Sequence, residues 1–335
     1  MQLTASAPGK VMVSGEYAVL SGQPALVMAV DRRVRVRLEA ADSWRLSSDG
    51  LPEAHPVAAD FLSRTGRPAT PVALALWCSV RALGCRTGPL AVTIDSRAMQ
   101  QDGSKLGLGS SAAVSVALTA ALAHHAGLGQ ASLEVCSRAH DQLQGTAGSG
   151  FDVAAAVRGG WFEFQRDTDG IHTADVAPPA AALRFVWTGQ VARTAGFVSR
   201  YRTWEQSDPD SSKVVSAIAA ATRAALAACR AQQADAFVAA VADSAARLEE
   251  LAAAADLPIF AGGHAELLQM ARSWGVSYKP CGAGGGDLGL ATAEDESKLA
   301  AFMQAVRSEG YQSLELECDV HGVRVERQEA RVEDS

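Results

Sequence analysis

The spacing of apolar and polar residues predicts a chain of mixed α and β structure. Residues 4–40 are predicted to form strand, turn and strand, with polar and apolar residues alternating along Asp31–Leu38. Helical spacing of apolar residues predicts helices over 71–83, 112–126, 132–143, 153–157, 214–255 with a break near 232–233, and 296–310. Short apolar runs predict strands over 89–95, 161–164, 183–188 and 288–292, and a strand or hairpin over 313–326. This order of elements is that of an α+β protein.

The length of 335 residues suits one large or two medium domains, because single cores stop growing at about 250–300 residues. The pair Pro178–Pro179 predicts a hinge that divides the chain into residues 1–179 and 180–335. The stretch 193–212 is polar, and residues 327–335 are expected to fray.

Composition and charge narrow the possible partners. The chain is 48% hydrophobic and 20% charged, as in ordinary globular proteins. A net charge of −7 without a basic stripe argues against nucleic-acid binding. Six cysteines without a C-x-x-C pair favour a reducing compartment. No signal peptide and no membrane span of about 18 apolar residues is recognised, so we expect a cytoplasmic protein with no membrane attachment.

The stretch Asp102–Val114 places glycines directly before a predicted helix. The first N–H groups of a helix lack intrahelical partners, and the helix dipole makes that end electropositive. Gly107 and Gly109 would let the backbone approach a ligand closely, which suits a phosphate group. Ser110 and Ser111 add hydroxyls that can cap the helix or reach a magnesium ion. The pattern favours phosphate binding.

Other interpretations of this loop are less consistent with its surroundings. Gly107–Ala112 has the G-x-G-x-x-A spacing of a dinucleotide-binding loop, but residues 100–105 are polar where that motif needs a buried strand. The chain contains no G-x-x-x-x-G-K-[ST] motif. A glycine–serine helix start without a ligand remains an alternative.

Single charged residues near glycine turns are further candidates. Three of the five lysines, Lys10, Lys105 and Lys279, lie beside glycine-rich turns, where a compact ammonium group can bind phosphate or can occur by chance. Asp152 follows a Gly-Ser-Gly turn at the start of a predicted helix. It is either a helix-dipole partner or a carboxylate positioned for phosphoryl transfer.

Three segments together resemble the motifs of the GHMP kinase family. They are Pro8–Tyr17, Lys105–Ala113 and Cys281–Asp287, and their order and spacing extend the resemblance over nearly the whole chain. Within the family, Gly15–Val19 and Ala139–Val153 are most similar to the members that phosphorylate mevalonate 5-phosphate. Members that act on mevalonate more usually have His in place of the tyrosine and Pro-Ser-Gly-x-Asp in the second segment.

The resemblance implies a particular fold. The N-terminal domain would contain a mixed sheet with a left-handed βαβ unit, against the usual right-handed rule, and the C-terminal domain would be ferredoxin-like. ATP with Mg²⁺ and the acceptor would lie between the two domains.

The resemblance also implies roles for individual residues. Asp152 and Lys10 would be catalytic, and Ser111 and Asp141 would hold the metal, although Asp141 replaces a longer family glutamate. The ATP-binding set would be Lys105, Gly107, Leu108, Gly109, Ser110, Ser111, Ala112, Gly284, Gly285 and Gly286. The acceptor set would be Glu16, Tyr17, Ser149, Arg193, Arg200 and Lys213.

The expected activity is ATP-dependent phosphorylation of mevalonate 5-phosphate to mevalonate 5-diphosphate, by a monomer or homodimer. A phosphomonoester has a second pKa of about 6 and is mostly a dianion at neutral pH, so proton removal contributes little to its reactivity. Positioning and charge neutralisation would therefore dominate catalysis. The alternatives are a kinase for mevalonate or another small molecule, and a nucleotide-binding sensor without activity.

Overall fold

The computed structural model describes residues 2–49, 51–56, 58, 60–63, 66–192 and 194–328. Its strands are β1 Gln2–Ser14, β2 Ala25–Ala40, β3 Arg45–Ser48, β4 Leu51–Pro56, β5 Leu90–Asp95, β6 Gln100–Gln101, β7 Ser104–Lys105, β8 Trp161–Asp167, β9 Gly170–Asp175, β10 Ala182–Trp187, β11 Ser277–Pro280, β12 Leu288–Ala293, β13 Gln312–Leu314 and β14 Arg324–Gln328. Its helices are α1 Pro71–Leu83, α2 Ser110–His125, α3 Leu133–Gln144, α4 Phe151–Arg158, α5 Thr194–Ser207, α6 Ser211–Ala231, α7 Ala234–Ala254, α8 His264–Trp274 and α9 Glu296–Ser308.

The first sheet has the strand order β14-β1-β2-β5-β3-β4, and β8 joins it by pairing with both β2 and β9. The long strand β2 pairs with β8 through its first half and with β5 through its second half. The pair β3–β5 is parallel, and α1 lies in the connection between these strands. This is the expected mixed sheet with a βαβ crossover, and the left hand of the crossover stays a prediction.

The second sheet is antiparallel, with the order β11-β12-β10-β13. Numbered along the chain, these four strands stand in the order second, third, first, fourth, and α9 connects the third to the fourth. This is the ferredoxin-like arrangement that the resemblance implied. Helices α5 to α8 fill the connection between its first and second strands.

The end of the described chain returns to the first sheet. Strand β14 pairs antiparallel with residues Gln2–Ser6 of β1, and Val30 forms a bridge with Cys318. The predicted unit 180–335 is therefore wrong for this segment, because β14 completes the sheet of the first unit. The expected frayed tail is wrong at residues 327–328, which belong to β14, and residues 329–335 lie outside the described part.

Most helices follow the predicted spacing, but α5 corrects the interpretation of 193–212 as simply polar. Tyr201 and Trp204 on α5 are buried, and the ring centres of Tyr201 and Tyr17 are 5.2 Å apart. The few large aromatic residues of α5 fix it to the interior although most of its positions are polar. Several elements have no counterpart among the predicted ones, namely α8 and the strands β3, β4, β6, β7, β9 and β11.

Helix α6 is long and apolar enough, by length and composition, to cross a membrane. Half of its most apolar stretch is buried inside the protein, where it packs on α7 and on β2. The apolar side chains of its second half, such as Leu226, belong to the core that both sheets share, in which Phe185 and Leu290 of the second sheet cluster with Val11 of the first.

Candidate active site

The predicted phosphate-binding loop precedes α2. Gly109 lies at the helix N-cap with φ 78°, no described side chain caps the helix, and its first turn contains no acidic residue. The buried side chains of Leu106 and Leu108 fix the loop, and Gly107 has φ 74°. The N-terminal amides of α2 are consequently not occupied by a side-chain cap, as an anion site at a helix start requires.

Lys10 connects the first strand to this loop. The β1–β2 register shifts between Pro8 and Gly9, and directly after it the Lys10 amide donates to the Leu108 carbonyl at 2.9 Å. The Lys10 ammonium donates to the Gly107 carbonyl at 2.9 Å and lies 5.5 Å from the centre of the Phe151 ring. The charge therefore lies between the phosphate loop and the start of α4.

Asp152 occupies the first turn of α4, and its Oδ1 accepts from the Val153 amide at 2.9 Å. A Cβ atom at Gly109 would lie 3.1 Å from Cε of Lys10 and 3.7 Å from Cβ of Asp152. The two predicted catalytic residues thus both lie close to the Cβ position of this glycine. Within the described residues Lys10 and Asp152 form no ion pair, and the ammonium of Lys10 binds the Gly107 carbonyl.

Ser111 and Asp141 were the predicted metal ligands. Ser111 is an exposed residue, and its hydroxyl lies 3.3 Å from Nε2 of the buried His140. Oδ1 of Asp141 accepts from the Gly148 amide at 3.1 Å. No group of three His, Cys, Asp or Glu side chains suited to a metal occurs in the described part. Magnesium commonly takes only one or two protein oxygens besides phosphate and water, so a hydroxyl and a carboxylate fit it.

Buried side chains bind backbone carbonyls of the third glycine motif, Cys281–Asp287. The Tyr17 hydroxyl donates to the Ala283 carbonyl at 2.6 Å, and Nε2 of His264 lies 2.8 Å from the Gly286 carbonyl. Nδ1 of His264 lies 2.8 Å from the Tyr278 hydroxyl, and burial lowers the pKa of His264 to about 4. A neutral imidazole that donates from Nε2 and accepts at Nδ1 satisfies both contacts.

The glycines of this motif pack against protein backbone. A Cβ at Gly284 would overlap the Ile259 carbonyl, and one at Gly286 would lie 2.6 Å from the Gln190 carbonyl. Close packing accounts for their residue type. Their contact with ATP stays a prediction, and so does that of Gly285.

Asp287 is the residue of this motif that reaches the phosphate loop, and sequence reasoning assigned it no role. A Cβ at Gly107 would lie 2.6 Å from Cβ of Asp287. Asp287 has φ 59°, and its Oδ1 accepts from the Ala192 amide at 3.1 Å. Burial raises the pKa of Asp287, while that amide and the charge of Lys10 oppose the rise. The only signal in the sequence was its place at the end of the motif.

Glu16 and Tyr17 are buried, which corrects the expectation that they face the acceptor. Glu16 forms an ion pair with Lys279, and the exposed fractions of the two residues are 1% and 0%. The Gly282 amide also points to Glu16, at 3.4 Å. Burial raises the pKa of Tyr17 well above its usual value, and its hydroxyl contacts Ala283. These side chains join the first motif to the third.

The predicted acceptor cations are not brought together. Arg200 pairs with Asp256 at 2.7 Å and Lys213 pairs with Asp210 at 2.6 Å, so both charges already have local partners. Arg193 lies outside the described residues.

Two other predicted residues remain accessible. Ser149 is half-buried directly before the N-cap of α4, and Lys105 is exposed on β7.

Comparison with known proteins gives consistent similarities. Residues 72–160 match the family described as GHMP kinases N terminal domain. A phosphomevalonate kinase from Streptomyces sp. (strain CL190) is 31% identical, and the match covers 87% of this chain and 90% of the relative. A mevalonate kinase from Methanothermobacter thermautotrophicus is 31% identical over 60% of this chain and 63% of its own length.

Among solved structures, Streptococcus pneumoniae phosphomevalonate kinase in complex with phosphomevalonate and AMPPNP superposes with a TM-score of 0.77. The match covers 94% of this chain and 99% of that chain at 21% identity, and it bears on the fold alone.

Proposed function

This chain belongs to the GHMP kinase family, and we propose that it transfers the γ-phosphoryl group of ATP to mevalonate 5-phosphate, forming mevalonate 5-diphosphate and ADP. It is a phosphotransferase. One observation supports the proposal most directly: Lys10 and Asp152 both lie within 4 Å of the Cβ position of Gly109, at the start of α2. A cation and a carboxylate beside an uncapped helix start suit the meeting of two phosphate groups.

In this proposal the donor binds at the start of α2. The backbone of residues 107–112 would bind the ATP phosphates through N–H groups, aided by the helix dipole. Lys105 and the glycines 284–286 would contribute from either side. Ser111 and Asp141 would hold Mg²⁺, which neutralises phosphate charge when bound.

The acceptor would lie between Lys10 and the start of α4. An oxygen of the acceptor phosphate attacks the γ-phosphorus, the bond from that phosphorus to the β–γ bridging oxygen breaks, and ADP leaves with the electron pair. Since the attacking phosphate is already mostly a dianion, Lys10 would offset its charge, and Asp152 would orient the acceptor by accepting a hydrogen bond from its hydroxyl group. Ser149, beside the N-cap of α4, would donate its hydroxyl to the acceptor.

The test measures ADP release with the full-length protein, ATP and Mg²⁺, using mevalonate 5-phosphate and mevalonate as separate acceptors. We expect kcat/KM to be at least about 100-fold higher for mevalonate 5-phosphate than for mevalonate. This factor corresponds to the charge-assisted hydrogen bonds that only the phosphorylated acceptor can form. Turnover on mevalonate alone would refute the proposal in favour of mevalonate kinase activity, to which the relative from M. thermautotrophicus points. ATP binding without turnover on either compound would instead favour a sensor.

The remaining expectations concern the environment of the enzyme. A cytoplasmic location, the absence of nucleic-acid and membrane partners, and a monomeric or homodimeric state are proposals that rest on composition and charge.

A further inference from the structure

The basic side chains considered for phosphate binding fall into two groups, those that form an ion pair with a carboxylate and those that do not. Arg200, Lys213 and Lys279 each have a carboxylate partner. Within the described residues, Lys105 has no carboxylate within 4.0 Å, but it belongs to the predicted donor set. Lys10 and Arg166 have none either, and both donate to backbone carbonyls. A phosphorylated acceptor needs positive charge that is not already neutralised, so these two residues are the better candidates.

Arg166 lies beside the turn that leads to Asp152. It stands near the end of β8 and is partly buried, and its guanidinium donates to the Gly148 carbonyl at 2.9 Å. A Cβ at Gly150, the N-cap of α4, would lie 3.5 Å from the same nitrogen. The guanidinium is therefore held against the residues that directly precede Asp152.

Much of the guanidinium remains available to a ligand. Arginine has five N–H donors in a planar fork, and the bond to Gly148 uses one of them. The other side-chain donors of Arg166 have no acceptor in the described part of the chain. No side chain caps the start of α4 at its N-cap, but the Asp152 carboxylate lies in the same turn and accepts from the Val153 amide, so the fork itself supplies the positive charge there.

We propose that Arg166 binds the phosphate of the acceptor and thereby selects a phosphorylated acceptor; the inference rests on the proposed function. Lys10 is bonded to the phosphate loop and lies 5.5 Å from the centre of the Phe151 ring, so its charge would serve the point where the acceptor phosphate meets the γ-phosphate. Arg166 holds its fork at the Gly148–Gly150 turn, where it can grip two phosphate oxygens at once. This assigns to Arg166 the role that the sequence had given to Arg200 and Lys213.

The test replaces Arg166 by glutamine and by lysine and measures steady-state kinetics with mevalonate 5-phosphate and ATP. For Arg166→Gln we expect the KM of the acceptor to rise about 10- to 100-fold, as for loss of a charge-assisted hydrogen bond, with kcat and the KM of ATP within threefold of the wild type. Arg166→Lys keeps the charge without the fork, so it should recover part of the loss.

The matched control is Arg230→Gln. Arg230 on α6 forms an ion pair with Glu163, which lies on β8 like Arg166. Loss of the Arg230 charge should leave both KM values unchanged. An equal rise of the acceptor KM in this control would overturn the inference, since it would assign the effect to net charge.

Two further outcomes also decide. If Arg166→Gln lowers kcat and leaves the acceptor KM unchanged, Arg166 only positions the turn that carries Asp152, and the inference is wrong. If the variant matches the wild type, it is equally wrong while the proposed function stands. A wild-type enzyme that accepts mevalonate alone would instead remove the proposed function itself.

Discussion

His264 gives the fold a pH dependence whose size follows from its surroundings. The side chain is fully buried behind the third glycine motif, between the Tyr278 hydroxyl and the Gly286 carbonyl. Burial lowers its pKa from 6.5 to about 4, so the folded protein keeps His264 neutral where the unfolded chain binds a proton. The free energy of unfolding therefore rises with pH between these two pKa values. The contribution of His264 is fully present above about pH 6.5 and is lost as the pH falls towards 4.

The magnitude follows from linkage. With pKa values of 6.5 unfolded and about 4 folded, the His264 contribution to the free energy of unfolding falls by about 2 kcal/mol between pH 7 and pH 5. The replacement His264→Gln retains an amide donor near Gly286 and removes the titration. Its stability should therefore lack this part of the pH dependence, although it should be lower than the wild-type value at pH 7 because the packing changes.

The assay is urea unfolding of the wild type and His264→Gln at pH 7, 6 and 5, followed by circular dichroism. Carboxylates that titrate in both proteins cancel in the difference between the two series. We expect the gap between the proteins to shrink by about 2 kcal/mol over this range. Parallel pH profiles of the two proteins would refute the reasoning. So would NMR spectra of the folded wild type in which the imidazole of His264 titrates near 6.5.

Two other substitutions test the phosphate-transfer residues. Asp152→Asn keeps the size of the side chain and removes its charge, so ADP-release assays should show kcat lowered by about 100-fold with the KM of ATP nearly unchanged. The control is Asp169→Asn, at an exposed site. Full activity in Asp152→Asn would exclude Asp152 from the mechanism. Gly107→Ala inserts a methyl group 2.6 Å from Cβ of Asp287 at φ 74°, so ATP affinity measured by calorimetry should fall by about tenfold or more. Gly103→Ala has a similar φ of 76° and nothing within 4 Å, and an equal loss in that control would show that the contact is unimportant.

Local patterns predicted much of the fold. The glycine spacing at 107–109 and the alanine-rich run after it predicted a helix start with an open N-terminus, since both properties depend on neighbouring residues alone. The ferredoxin-like sheet came from the family resemblance, because strand order depends on contacts between distant segments.

Residues defined by long-range contacts were missed or misassigned. His264 and Asp287 act on loops that the chain brings to them only after folding, so no local spacing indicates them. Glu16 seemed available for a ligand because its partner Lys279 is 263 positions away along the chain. Arg166, at the end of an ordinary strand, became a candidate only when its position beside Gly148 was known.

The return of the chain to the first sheet has a consequence for the order of folding during synthesis. The segment from Glu317 onward bonds to Asp31 and Ala29 through the backbone, and the ion pair between Arg33 and Asp319 lies largely buried there. Until this segment leaves the ribosome, one edge of β1 has no partner strand and Arg33 has no counter-ion. The unit that is made first is therefore completed last, and a stop codon shortly before residue 317 would damage the phosphate-binding half of the protein.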